Sequence, residues 1–256
     1  MPNVYRGMWS VPNQNPMPPL VLAENANALG VRSTGIAADV ETFLQGEVKW
    51  VRPRGGGGAG GWQGMSVSKA PCNLPRHRRP SGAPWNGTGS SNGGRNPMQM
   101  FQLDTAGLVP AQLVYHDDPV DSDPEHGLIS PAQDMTLNNY QSHLAATVAQ
   151  WSVAPAPDNP CPPTLVAGRE ERSMVLPEHL PSLFDEVSSG GDPAELVSAL
   201  VEANGRGTSA ATLTAGIEQA VAKAEAAGNE EGAEALREIL DRVTGYCAPA
   251  FRIELQ

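Results

Sequence analysis

Apolar positions lay out the elements of this chain in order. In MPNVYRGMWS, Val4, Tyr5, Met8 and Trp9 predict an opening strand with Arg6 and Gly7 at its centre. Over residues 21–46, Leu22, Ala26 and Leu29, then Ile36, Val40, Phe43 and Leu44, have the three-and-four spacing of one or two short helices, the second stopped by Gly46. KWV and GMSVS predict two short strands joined by the glycine-rich GGGGAGG at 55–61, read as a flexible hairpin loop. MQMFQLD and AQLVYHD predict two more strands around the turn TAGLVP. A helix then starts after Thr136 as N-cap, with Leu137, Tyr140, Leu144, Val148 and Trp151 as its apolar stripe. His143 within that helix reads as an ordinary helix residue.

Between these elements the pattern breaks down. Residues 71–97 have no period and many Pro, Gly, Ser and Asn residues, which predicts a long, mobile, basic loop. Residues 152–172 are proline-rich and read as a linker. Beyond it DPAELVSALVEA, SAATLTAGIEQAVAKAEAA and NEEGAEALREILDRV predict three helices. Asp192 and Pro193 start the first, Gly205, Gly207 and Gly228 mark the breaks, and CAPAFRIELQ is a candidate returning strand. The expected organisation is an α+β domain over 1–151, a linker over 152–172 and an acidic helical module over 173–256.

Composition adds loops and an uneven charge to this picture. The 256 residues include 27 Gly and 24 Pro, and 40% are apolar, enough for a real core within a loop-rich domain. Residues 1–120 carry ten Lys and Arg against seven Asp and Glu; residues 121–256 carry seven against twenty-one. A mildly basic first half suits a small anionic ligand, and the acidic second half argues against non-specific nucleic-acid binding. The three cysteines, Cys72, Cys161 and Cys247, are far apart and predict neither a disulfide framework nor a zinc site. With no apolar stretch near membrane-spanning length and no secretory leader pattern, the chain is expected to be made in a reducing cytoplasm, with export into a target cell as a further step.

The candidate chemistry lies in three short stretches: VYRGM at the start, GMSVS about sixty residues on, and DPEHGLISPAQDM from Asp123. An arginine on a first strand, a Ser-x-Ser strand and an acid leading into a further strand, in that order, resemble the mono-ADP-ribosyltransferase toxins of the Arg/Ser/Glu type. HGLISPAQDM with the helix to Trp151 is also similar to ADP-ribosyltransferase-like effectors of bacterial type VI secretion. The resemblance covers residues 1–151. It implies a split β-sandwich that clamps NAD, as substrate, in a cleft.

It also implies roles. Tyr5, Arg6 and Gly7 would form the NAD-binding strand, with the Arg6 guanidinium on the phosphates. Ser66, supported by Ser68, would fix the nicotinamide ribose. Glu125 would stabilise the charge that develops as nicotinamide leaves. His126 is a rival for that position, because the type VI effectors have a histidine there. The usual pair of acids two residues apart is missing, since Gly127 follows His126, and this leaves the ADP-ribose acceptor open. The implied protein is a toxin that transfers ADP-ribose to a macromolecule of the recipient cell, or an NAD glycohydrolase, and its producer would need an immunity protein.

Each assignment has a structural alternative. Arg6 would then pair with a surface carboxylate, Ser66 and Ser68 would line the solvent face of an edge strand, and Glu125 would belong to an Asp-Pro-Glu turn. The cluster RHRR at 76–79 reads as solvated or partner-facing, and HDDPVDSDPE at 116–125 as a solvated acidic loop. On these readings the chain is a non-enzymatic component of a secretion system or phage particle, with the helical module as its working part.

Overall fold

The opening run forms the strand its apolar residues predict. β1 (Asn3–Trp9) lies between β4 (Met65–Ser68) and β5 (Met98–Asp104), antiparallel to both. The computed structural model describes residues 2–20, 28–33, 38–53, 63–89, 97–120, 123–162, 176–244, 253 and 255. The chain divides into two compact units, Met1–Pro163 with Cys247–Phe251, and Thr164–Tyr246 with Arg252–Gln256.

The first unit is mixed α+β. With β6 (Leu113–Asp117), β7 (His126–Pro131) and β9 (Ser152–Val153), its larger sheet has six antiparallel strands in the order β6-β7-β4-β1-β5-β9. A smaller antiparallel sheet takes β2 (Phe43–Gln45), β3 (Val48–Val51) and β8 (Met135–Thr136) in that order. Successive strand residues point to opposite faces, so Val4 and Met8 of β1 share a face with Met65 and Val67 of β4 and with Ile129 of β7. On that face they pack with Tyr140 and Leu144 of α1 (Leu137–Ala146), Val51 of β3 and Met135 of β8 into one core. Thr136 caps α1 as expected, its hydroxyl accepting from Asn139 N at 3.2 Å, and the stripe continues through a 3₁₀ turn, Val148–Gln150, to buried Trp151.

The opposite face of the large sheet has a different cover. Two 3₁₀ turns, Pro71–Asn73 and Arg76–Arg78, with bridges such as Pro80 to Gly89, bring residues 71–89 against β1. A Cβ built on Gly7 would stand 1.9 Å from the Arg78 carbonyl oxygen, so only glycine lets this layer close. The described part of the expected mobile loop is therefore a packed layer. His77 and Arg79 in RHRR are buried rather than solvated. The aperiodic sequence carries no stripe because backbone carbonyls seated on glycines hold the layer.

Other expectations are also corrected. Phe43 and Leu44 belong to a strand, and Gly46, at φ +66, turns a two-residue hairpin into β3 instead of ending a helix. Leu29 lies in a 3₁₀ turn, Ala28–Gly30, and the remaining expected helical residues at 21–27 and 34–37 lie outside the described residues. GGGGAGG also lies outside them, but the strands it was to join, β3 and β4, belong to different sheets and form no hairpin. The expected linker begins inside the first unit, where Ser152 pairs with Gln102 and Ala154 N donates to Met100 O at 2.8 Å. Cys161 is buried there and bonded to Cys72, so the expectation of no disulfide is overturned. The two cysteines are 89 residues apart, and only the return of the chain after β9 brings them together.

The second unit holds four helices among its described residues. These are α2 (Leu180–Ser188), α3 (Pro193–Gly205), α4 (Ala210–Ala226) and α5 (Glu230–Thr244), one more than the sequence predicts. Asp192 caps α3, accepting from Ala194 N at 2.9 Å, with Pro193 in the first turn. Gly207 and Gly228 take left-handed φ values between helices. Leu180, Phe184, Leu196, Ile217 and Leu236 are among its buried residues, and Arg237 makes ion pairs with Glu225 and Glu234. No helix among the described residues is long and apolar enough to cross a membrane.

Candidate functional site

The three motifs lie on adjacent strands. β7, which starts at His126 directly after Glu125, β4 with Ser66 and Ser68, and β1 with Arg6 are neighbours in that order in the large sheet. Ser68 is opposite both Tyr5 and His126, and Ser66 is opposite Leu128. Residues far apart in sequence are thus brought within one or two strand spacings, about 5 to 10 Å.

Alternation then separates them. Arg6 shares its face with Val4 and Met8, the side that carries the core, whereas Tyr5, Gly7, Ser66, Ser68 and His126 belong to the opposite face. Arg6 is 6% exposed, and its two terminal nitrogens donate to the carbonyls of Ser66 and, at 3.0 Å, Gly30. The guanidinium that the sequence assigns to a phosphate thus ties β1 to β4 and to the 3₁₀ turn at Gly30. Its partner in the serine motif is the Ser66 backbone.

On the opposite face Ser66, Ser68 and His126 are covered. The Ser68 hydroxyl donates to Ala70 O at 3.0 Å and accepts from Ala70 N at 3.1 Å, turning the chain out of β4. Ser66 is buried, and its hydroxyl has no hydrogen-bond partner among the described residues. His126 is wholly buried, with Nδ1 2.7 Å from Asp118 O and 3.2 Å from Asp118 Oδ2. Neither serine lines a solvent face, and as placed the expected NAD-binding residues do not form one cradle.

Glu125 is in a different environment. It stands one residue before β7 and pairs with Lys69 at 3.2 Å, while its amide donates to Asp123 Oδ1 at 2.9 Å. Lys69 Nζ also meets Asp117 Oδ1 at 2.9 Å, and that same oxygen accepts from the Tyr115 hydroxyl at 2.8 Å. Lys69 continues β4, and Tyr115 and Asp117 alternate with Ile129 and Gly127 across β6 and β7, so this group shares the Arg6 face. The hydrogen bonds to Asp117 and Glu125 hold the Lys69 ammonium above the usual lysine range. The Lys69 contact, then the Tyr115 hydroxyl, hold the Asp117 carboxyl below its ordinary value, and burial pushes the Tyr115 phenol up.

The run 116–125 is thus only partly a solvated loop. Asp123 is wholly buried and accepts from Asn73 Nδ2 at 3.2 Å, and Asp118 holds His126. The sequence reading passed over Lys69, Tyr115 and Asp117. Their signal is there: a lysine directly after Ser-x-Ser, and Tyr-x-Asp at strand alternation in AQLVYHD. A separate depression of about 170 Å³ is lined by Glu41, Thr42, Phe43, Arg52 and Gln63, with Arg52 stacked 3.9 Å over the Phe43 ring. None of the seven expected site residues lines it.

Compared with family models, curated proteins and solved structures, the chain finds no match in any of the three.

Proposed function

We propose that the first unit is an NAD-consuming toxin domain of the mono-ADP-ribosyltransferase kind. The observation that carries this reading is the adjacency of β1, β4 and β7, which makes neighbours of the arginine, serine and acid motifs. Glu125 is the catalytic carboxylate. It lies on the Arg6 face and opens to solvent, with its side chain 46% exposed, whereas His126 is buried on the other face and serves as a structural residue. Arg6, through its two carbonyl contacts, braces the strands on which the site is built.

In the reaction, the bond from the ribose anomeric carbon to the nicotinamide nitrogen breaks, and its electron pair leaves with nicotinamide. Glu125 offsets the positive charge left on the ribose, and water or a nucleophile of a recipient-cell macromolecule bonds to the anomeric carbon and gives up its proton to solvent. A disulfide within the unit suits a chain that passes through an oxidising compartment on its way to the recipient cell. An immunity protein made by the producing cell would cover the exposed Glu125 carboxylate.

The test is nicotinamide release from NAD by the full chain and by Glu125→Gln. The expected loss on substitution is about 100-fold or more in kcat, the scale of removing one transition-state contact. A second reading, a non-enzymatic interaction protein, is favoured by the burial of Arg6, Ser66, Ser68 and His126, each at most 6% exposed. No release together with no NAD binding by calorimetry would select it.

A further inference from the structure

We infer that Lys69 is the positioning residue for Glu125, held in place by Asp117 and Tyr115 as a supporting arm. The inference rests on the NAD reading above and deepens it. The arm starts at the position two residues after Glu125, where the sequence has Gly127 in place of a second acid. A Cβ at Gly127 would come within 2.5 Å of the Tyr115 ring, so the phenol occupies the space a side chain there would need. From this seat the Tyr115 hydroxyl donates to Asp117, Asp117 holds the Lys69 ammonium, and Lys69 meets the Glu125 carboxylate.

The backbone fixes the last step as well. Lys69 N donates to Glu125 O at 2.9 Å, so both side chains leave from hydrogen-bonded neighbours. An isolated surface ion pair has two long side chains to order and contributes little. Here the lysine side chain is 29% exposed and is shared between two carboxylates, one of which, Asp117, also accepts from the half-buried Tyr115 phenol. Three separate sequence choices, Lys69 after the serine motif, Tyr115 with Asp117 on β6, and Gly127 on β7, thus converge on the orientation of one carboxylate. An acid that must face a charge forming on a bound ribose gains from being held there before the substrate arrives.

The test uses the full chain, which contains only three lysines, Lys49, Lys69 and Lys223. With ¹³C,¹⁵N-lysine, the Lys69 ammonium should titrate above the ordinary lysine range and move back toward it in Glu125→Gln and in Asp117→Asn. In nicotinamide release, Lys69→Met should lower kcat tenfold or more with KM within twofold, and Lys69→Arg should restore most of it. Tyr115→Phe should lower kcat about threefold, the scale of one net hydrogen bond. Circular dichroism checks that each variant is folded. Wild-type kcat in Lys69→Met, or a Lys69 titration indifferent to Glu125→Gln, overturns the inference. Wild-type protein that releases no nicotinamide overturns the NAD reading and the catalytic meaning of Lys69 with it. That outcome is distinguished by a Lys69 resonance that still responds to Glu125→Gln.

Discussion

Arg6 shows how far one residue's chemistry depends on which way its strand faces. A guanidinium on the core side of β1 is tolerable because it is hydrogen-bonded, the Ser66 and Gly30 carbonyls being among its partners, so Arg6→Met should destabilise the first unit by about 3 kcal/mol, read by urea melts. Gly7 is constrained from the other side. Gly7→Ala forces the Arg78 carbonyl away and should cost about 4 kcal/mol in the same measurement. A third residue gives a pH dependence. Burial holds the His116 imidazole below its ordinary 6.5, so the unfolded chain takes up its proton first as pH falls. Stability should therefore drop as pH is lowered through about 6.5, level off below the folded value, and follow a flatter profile there in His116→Gln. Among the candidate residues, the order of the motifs along the chain was legible, but neither their pairing nor their faces. The register that sends Arg6 one way and Ser66 the other depends on Tyr5 meeting Ser68, a contact between distant segments that no local pattern encodes.

At the scale of elements, long periodic segments were legible and short ones were not. α1, α3, α4 and α5 follow from their stripes and caps, and β1, β4, β5 and β6 from their alternating or apolar runs. β2 was misread because Val40, Phe43 and Leu44 mimic helical spacing, while Gly46 was recognised as a breaker but not as a hairpin turn. α2 was missed because Pro181 stands in its first turn and no side chain caps it. Leu180, Phe184 and Val187, all buried, are the stripe that would have found it. The layer over residues 71–89 was illegible for a different reason: it is held by a disulfide, backbone bridges and close approach to glycines. Phe184→Ala should cost the helical unit about 3 to 5 kcal/mol, seen as a lower midpoint in the circular dichroism signal of its helices. All five tryptophans belong to Met1–Pro163, so tryptophan fluorescence should report a first-unit transition that this substitution leaves in place.

At the scale of the whole molecule, the Cys72–Cys161 bond joins a covering layer to the segment that leaves the first unit. Cys161 N also donates to Pro84 O at 2.8 Å, and Arg79 Nη1 to Pro162 O at 3.3 Å. By chain entropy, closing so long a loop contributes on the order of 4 kcal/mol, so paired Cys72→Ser and Cys161→Ser substitutions should lower the fluorescence-detected stability by about that amount. The same bond changes the chain as an object to be threaded. The 89-residue separation between the cysteines takes about 300 Å of extended contour out of reach of a pulling force. A narrow channel or unfolding motor must therefore pass the oxidised chain with the doubled loop beside the segment that follows it, three strands abreast, while the reduced chain goes single file. Stretched by its ends, the oxidised molecule should stop short of the reduced one by about that length.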